Sequence, residues 1–280
     1  SVSVLAKLFS IQENGLFNND VSIKFIKKSE SLIDKDINYT YFELFSIFSK
    51  SILLENRKEI ICDQTPNNNF YLKDILEKYP EAKIINMVRD SRDVLLSQKN
   101  KWKRKFLGAK KIPLTESIRS FFLYHPITTS FFWRSSLQHT DRFISNPNLL
   151  IVRFEDFLLT PKKICLDICS FLDIVFEEKM LEVPNIGSSS QEDNKEDLRI
   201  DSSKIYKWKS GGLNSAEIFI SQFISNTYMK KHGYPKEKYL SPPLRVLFYL
   251  ISFPIKFFFS LLFNVKRLSS VIDLLKNNIR

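Results

Sequence analysis

Cysteine is scarce in this chain, with three among 280 residues: Cys62, Cys165 and Cys169. An odd, sparse set makes a poor disulfide framework and fits a reducing compartment. Cys165 and Cys169 lie one helical turn apart with no histidine nearby in sequence, so two small buried apolar residues are a simpler reading than a zinc site. There is no internal repeat, which excludes solenoids and propellers. No glycine-rich loop of the Walker kind occurs, and no magnesium-binding acid accompanies one, so the parts of a P-loop small-molecule kinase are missing. No signal-peptide pattern is visible and the first residue is Ser, not Met. The opening SVSVLAKLFS reads as a helix already under way, so the N-terminus is expected to be cut.

What is present is apolar and basic. Hydrophobic residues make up 44% of the chain, enough for one large core or a core with an appendage. The formal net charge of +11 favours anionic partners: nucleotides, sulfated or phosphorylated glycans, anionic lipid or nucleic acid. No nucleic-acid recognition motif supports the last of these.

Apolar spacing predicts helices over 3–12, 39–54, 69–80, 91–104, 160–173 and 214–231, the last stopping at Gly233. The segment 115–138 is a long aromatic helix pattern broken near Pro126. EIICD (59–63), AKIINMV (82–88) and NLLIVRFEDF (148–157) read as buried strands or strand exits. Strands alternating with helices predict a parallel sheet wrapped on both faces. Residues 184–204 are polar and loop-like.

The tail changes character. LRVLFYLISFPIKFFFSLLF (244–263) approaches the length of a membrane span, but Arg245 and Lys256 interrupt it and Pro254 breaks it. A helical arm lying in one leaflet's interface is the expectation, with Lys256 snorkelling and Lys266, Arg267, Lys276 and Arg280 near lipid phosphates. The alternative is a hydrophobic arm packed on its own domain or on a second copy.

One stretch carries chemistry. In AKIINMVRDSRDVLLSQ (82–98), Arg89 closes an apolar run and Ser97 follows eight residues later on the next helix. In an open parallel sheet, ligands bind beyond the carboxyl ends of strands. The following helix offers its N-terminus to an anion there. Arginine supplies a planar donor fork for phosphate, and serine supplies a hydroxyl two turns on. A surface salt bridge at Arg89 and an unremarkable helical serine remain the bland alternative.

PEAKIINMVRDSRDVLLSQ resembles the 3′-phosphate-binding segment of the sulfotransferase family, which uses 3′-phosphoadenosine 5′-phosphosulfate as sulfonate donor. Three further stretches fall in the family's order over residues 1–235. EIICDQTPNNNFYLKDILEKYP resembles its strand and Lys-Thr-Pro-like turn. LLIVRFEDFLLTPKKICLDICSFLDI resembles its Val-Arg-Tyr-Glu-Asp-Leu strand and helix, with Phe154 for the usual Tyr. SSKIYKWKSGGLNSAEIFISQFISNTYMKKHGYP resembles its closing Lys-Trp loop and last helix. The resemblance implies an α/β fold: a P-loop-like three-layer α/β/α domain with a parallel sheet, over 1–240. Residues 241–280 would form the C-terminal hydrophobic helical arm. It implies that Arg89 and Ser97 grip the donor's 3′-phosphate, and that Lys207, with Ser203 as the weaker candidate, comes from the loop closing over the nucleotide. Nothing in the sequence requires a metal.

The sequence departs from the family in two places. The loop that cradles the 5′-phosphosulfate is absent, which the resemblance explains by a chain cut before or within it. Gln64 stands where relatives often carry Lys, and it cannot neutralise charge on the transferring sulfonate. Asp63 resembles the acidic base of some carbohydrate sulfotransferases; a solvated or helix-capping Asp is the other reading. His125 and His139 are further base candidates, more simply read as packed or exposed helix residues. Glu155 and Asp156 are expected to be structural. The run Lys99, Lys101, Lys103, Arg104, Lys105, Lys110 and Lys111 would steer a polyanion, face anionic lipid or simply be solvated. The expected partners are the nucleotide sulfonate donor, a hydroxylated acceptor and a membrane surface met peripherally through 244–263 on the cytoplasmic side, with no nucleic acid. A non-catalytic relative of the same fold is the alternative.

Overall fold

The computed structural model describes residues 1–15, 21–107, 110–185, 194–238 and 243–264. The tail cations Lys266, Arg267, Lys276 and Arg280 lie outside these residues, as do residues 186–193 of the polar 184–204 segment. The chain forms two compact units, Ser1–Asn68 and Asn69–Arg280.

The first unit holds three helices, α1 (Val2–Asn14), α2 (Ile23–Leu32) and α3 (Tyr41–Asn56). Leu5 and Phe9, one turn apart on α1, meet Phe25 and Leu44 in a core that includes Ala6 and Ile33. Thr40 starts α3 with a capping box: the Glu43 N–H donates to its Oγ1 at 3.3 Å, and its own N–H donates to the Glu43 carboxylate at 2.7 Å. The strand expected at 59–63 does not form. Ile60 is 72% exposed, and among the described residues no strand pairs with this segment. An extended segment becomes a strand only through a neighbour's hydrogen bonds.

The second unit is mostly helical around a small parallel sheet. In chain order it contains α4 (Leu72–Lys78), β1 (Ile84–Val88), α5 (Ser91–Asn100), β2 (Phe106–Leu107), β3 (Lys110–Lys111), α6 (Leu114–Leu123) and α7 (Pro126–Thr140). Then follow β4 (Leu149–Arg153), α8 (Phe154–Leu159), α9 (Pro161–Leu172), β5 (Pro184–Asn185), β6 (Asn194–Leu198), α10 (Ser215–Lys231) and α11 (Pro243–Leu262). The aromatic pattern at 115–138 is two helices. His125 accepts the Ile127 N–H through its ring, and Pro126 takes the first helical position, where a missing N–H costs nothing.

β1 and β4 pair in parallel with Ile84 opposite Leu149 and Val88 opposite Arg153. The two strands therefore end at one level, and Arg89 and Phe154 leave the sheet side by side. Val88 and Val152 are buried, whereas Ile85 and Met87 are 38% and 46% exposed, so β1 is covered more deeply on the face of Val88. Trp133 and Leu137 of α7, with Met229 of α10 and Tyr234, pack on Val88. This anchors the strand end that the site is built on.

α10 begins at Asn214 with a second capping box: the Glu217 N–H donates to the Asn214 side chain at 3.0 Å, and the Asn214 N–H donates to Glu217 at 2.8 Å. Glu217 is buried and also accepts from Lys99 Nζ at 2.7 Å and the Tyr124 hydroxyl at 2.6 Å. Lys99 is thus committed to an internal ion pair rather than to an outside anion. The helix stops at Gly233, whose φ of +75° is the left-handed geometry of a C-terminal turn. Losing a cap of this kind costs about 1 kcal/mol. Asn214→Ala is therefore expected to lower the urea midpoint of unfolding by a corresponding amount with an unchanged m-value. An unchanged midpoint would show that the cap contributes nothing.

Candidate functional site

The carboxyl end of β1 holds a group of buried charges. Asp90 is the N-cap of α5, accepting the Arg92 N–H at 2.8 Å. The Arg92 guanidinium returns to the same carboxylate with Nε at 2.9 Å and Nη2 at 2.6 Å, and donates Nη1 to Gln222 Oε1 of α10 at 2.9 Å. Arg92 is 1% exposed and Asp90 fully buried. A pair so deep gains little net stability, but removal of one partner strands the other charge. The Asp90 N–H donates to Glu155 Oε1 at 3.0 Å, and the Tyr234 hydroxyl donates to Glu155 Oε2 at 2.6 Å. Glu155 is the structural tie expected of it, joining β4's exit to β1's. Burial, then the Glu155 carboxylate, pushes the Tyr234 phenol well above its ordinary range, so it remains a donor.

The loop over residues 202–212 is fastened at four points, one to Arg89 at the strand exit and three to α5. Arg89 donates Nη2 to Lys204 O at 2.9 Å. The Trp208 N–H donates to Asp93 Oδ1 at 2.9 Å. The Arg92 guanidinium lies 4.1 Å from the Trp208 ring centroid, and Trp208 is 1% exposed. Gly212, at φ +89°, sits so close to Leu96 that a Cβ there would meet Leu96 Cδ1 at 2.7 Å. The left-handed backbone angle favours glycine, and any side chain there would make Leu96 shift.

Four of the sequence-nominated residues lie on these two elements or at the strand exit that precedes α5. Arg89 is 27% exposed in its side chain, stacks 4.5 Å over the Phe154 ring and approaches Asp93 Oδ2 at 3.9 Å. Phe154 supplies the aromatic face without needing a hydroxyl. Ser97 is half-buried on α5, one turn beyond Asp93 and two beyond Arg89. Ser203 is exposed in the short 3-10 turn Ser202–Lys204, next to the carbonyl that Arg89 holds, and its N–H donates to Asp201 Oδ1 at 2.9 Å. Lys207 is half-buried and directly precedes Trp208. Asp63 belongs to the first unit and is exposed; its carboxylate accepts from Thr65 Oγ1 at 3.0 Å and Asn68 Nδ2 at 2.6 Å.

The two histidines nominated as base candidates are packed. His125 lies 5.4 Å from the Phe253 ring of α11, and burial, then Lys256, lowers its pKa to about 4. His139 packs edge-on to Phe70 at 5.0 Å. Cys165 and Cys169 are buried and free. Among the described residues no group of three or more His, Cys, Asp or Glu side chains is placed to hold a metal ion.

Asp93 escaped the sequence reading. It is 2% exposed, and one of its oxygens has no hydrogen-bond donor. Burial raises its pKa to about 6, against the lowering effects of the Trp208 N–H and Arg89; Asp90 and Glu155 nearby add to the rise. The only local signal was a second carboxylate one turn into a helix whose neighbours are apolar.

A model of the sulfotransferase family matches residues 8–178. No curated protein matches the chain. A solved sulfotransferase domain from the curacin biosynthetic pathway is similar at 19% identity and a TM-score of 0.44, covering 83% of this chain and 79% of that one. The family match spans more than half of the chain, so the chain belongs to the sulfotransferase family.

A carboxyl whose pKa is raised on folding binds more protons folded than unfolded. Its contribution to stability is greatest below about pH 4 and is lost as pH rises to about 6. Asp93→Asn keeps the acceptor for Trp208 and is expected to remove that loss. Relative to the unaltered chain, the variant should gain about 2 kcal/mol between pH 4 and pH 7, read from urea unfolding at each pH. Parallel stability curves would contradict the assignment.

Proposed function

We propose that this sulfotransferase moves a sulfonate group from 3′-phosphoadenosine 5′-phosphosulfate to a hydroxyl, or an amine, of a glycan, lipid or small-molecule acceptor. Arg89 and Ser97 bind the donor's 3′-phosphate. Lys207, with Ser203, closes over the nucleotide. Residues 1–240 carry the transfer chemistry and 241–280 a membrane-associating arm, met by the inner face of a membrane on the cytoplasmic side.

The observation that carries the reading is the position of Arg89. Its guanidinium leaves a parallel strand at the carboxyl end, is oriented by Phe154 and Asp93, and touches the backbone of the loop that bears Ser203 and Lys207. A phosphate arriving there meets a pre-aimed donor fork and displaces one hydrogen bond to a neutral carbonyl. Charge-assisted bonds to phosphate are stronger than those to a carbonyl, so the exchange is favourable.

The reaction is an in-line displacement. The acceptor oxygen attacks sulfur, the bond from sulfur to the bridging phosphate oxygen breaks, and adenosine 3′,5′-bisphosphate leaves. The acceptor's proton passes to a base, for which Asp63 is the candidate. Thr65 and Asn68 take two of the roughly four lone-pair sites of its carboxylate and leave it able to accept. Positioning and electrostatic stabilisation of the sulfonate and bridging oxygens supply the catalysis.

Each charge-assisted bond contributes about 1.5–3 kcal/mol. Arg89→Ala is expected to weaken binding of adenosine 3′,5′-bisphosphate by about 10- to 150-fold in calorimetry, with little effect on 5′-AMP, which lacks the 3′-phosphate. Equal losses for both nucleotides would refute the site.

A further inference from the structure

We infer that the outward face of α11, together with Phe121 and Trp102 beside it, is a docking surface for an anionic lipid bilayer, on which the chain lies rather than through which it passes. The inference rests on the peripheral contact proposed above and names its lipid class and its geometry.

The first observation is that α11 is amphipathic in the reverse sense for a helix on a water-soluble surface. Its half-buried positions Val246, Tyr249, Phe253, Lys256 and Ser260 recur every three or four residues and so form one stripe. That stripe faces protein. The Tyr249 hydroxyl accepts from Asn214 Nδ2 at 2.9 Å, and Phe253 packs on His125. Lys256 Nζ lies 4.5 Å over the Phe121 ring of α6. At the end of the helix, Phe263 stacks on Phe122 at 4.8 Å and Arg119 donates to Asn264 at 3.2 Å. The opposite face is apolar throughout: Leu247, Phe248, Ile251, Ile255, Phe258 and Leu262 are 50–66% exposed. Polar groups turned to protein and hydrocarbon turned outward mark a face that meets lipid or another protein.

The second observation decides between lying on the bilayer and crossing it. α11 has 20 residues and a mean hydropathy of 1.6, enough to span. Yet contacts hold it to α6, α7 and α10 from Tyr249 to Asn264, more than four turns. A spanning helix would have to carry those helices, with Arg119 and the buried Glu217, into hydrocarbon.

The third observation is charge and its placement. Pro243–Leu262 contains no acidic residue and carries Arg245 and Lys256. Beside α11, Phe121 is 45% exposed and packs edge-on at 5.8 Å with Trp102, itself 41% exposed. Lys101 and Lys103 flank Trp102, and both are exposed. The nearby acids are occupied: Glu116 is paired with Arg119, and Glu217 is buried against Lys99. An indole at the rim of an apolar face with lysines beside it is the arrangement that suits the headgroup level of a bilayer. A second copy is the poorer occupant, because a two-fold interface would set the same basic rim against itself.

Trp102 provides its own probe, since the other tryptophans, Trp133 and Trp208, are 7% and 1% exposed. The full chain is titrated with vesicles of phosphatidylcholine alone and of phosphatidylcholine mixed with phosphatidylglycerol. A blue shift of tryptophan emission and co-sedimentation are expected only with the mixed vesicles. Each basic residue near the surface accounts for about fivefold in affinity, so Lys103→Gln with Arg245→Gln should weaken binding by about 25-fold. Leu247→Ser with Ile251→Ser should abolish it. Both pairs are exposed, so folding is checked independently by circular dichroism, and the charge pair alone suffices if the apolar pair fails to fold. Equal binding to both vesicle types would overturn the anionic-lipid assignment and leave peripheral contact standing. No binding to either, with a dimer in light scattering, would overturn both. Resistance to extraction with alkaline carbonate would show a spanning helix and overturn the geometry.

Discussion

The structure turns on the buried carboxylates at the mouth of β1. Asp90 caps α5 and neutralises Arg92; Asp93, one turn further, accepts the N–H of Trp208. With the packing of Trp133 on Val88 and the stacking of Arg89 on Phe154, these two side chains hold the candidate site together. They fix the first turn of α5, which sets where Arg89 leaves the strand. They also draw in the 202–212 loop, which would otherwise have no reason to lie against a helix more than 100 residues earlier in the chain. Burying so many charges is costly, and the cost is met by bidentate pairing, by the Trp208 ring and by Gln222 rather than by solvent.

That arrangement gives the Arg89 side chain a particular character. It is neither a free surface arginine nor a sealed ion pair. It is aimed by an aromatic face and a partly distant carboxylate, and it holds only a backbone carbonyl of the loop. A dianionic phosphate is a stronger partner than that carbonyl. The loop and the arginine are coupled, so a ligand at one alters the contacts of the other. This is how a nucleotide could be gripped by a strand end and a distant loop at once.

Much of this was legible in the sequence because it is local. An apolar run followed by Arg-Asp-Ser-Arg-Asp reads as a strand end and a following helix, and the structure has both. Pro126 divides the aromatic pattern where a missing N–H is harmless. The parallel pairing of the 82–88 and 148–157 segments followed from alternating strands and helices. The strand at 59–63 failed because periodicity cannot supply a hydrogen-bonding neighbour. Asp93 and the Arg92–Gln222–Trp208 group were invisible for a similar reason: their meaning lies in contacts across more than 100 residues. In α11 the apolar run concealed a mixed stripe of 3–4 spacing that includes Tyr249, Lys256 and Ser260, and only packing against α6 and α10 revealed that it faces protein.

The central claim is that Arg89 and Ser97 share one phosphate. The most direct measurement is a crystal structure of the chain with adenosine 3′,5′-bisphosphate. The account predicts the 3′-phosphate within about 3 Å of both the Arg89 guanidinium and the Ser97 hydroxyl, with the Arg89 bond to Lys204 exchanged for it. A nucleotide bound with its 3′-phosphate away from Arg89, and that bond intact, would contradict it.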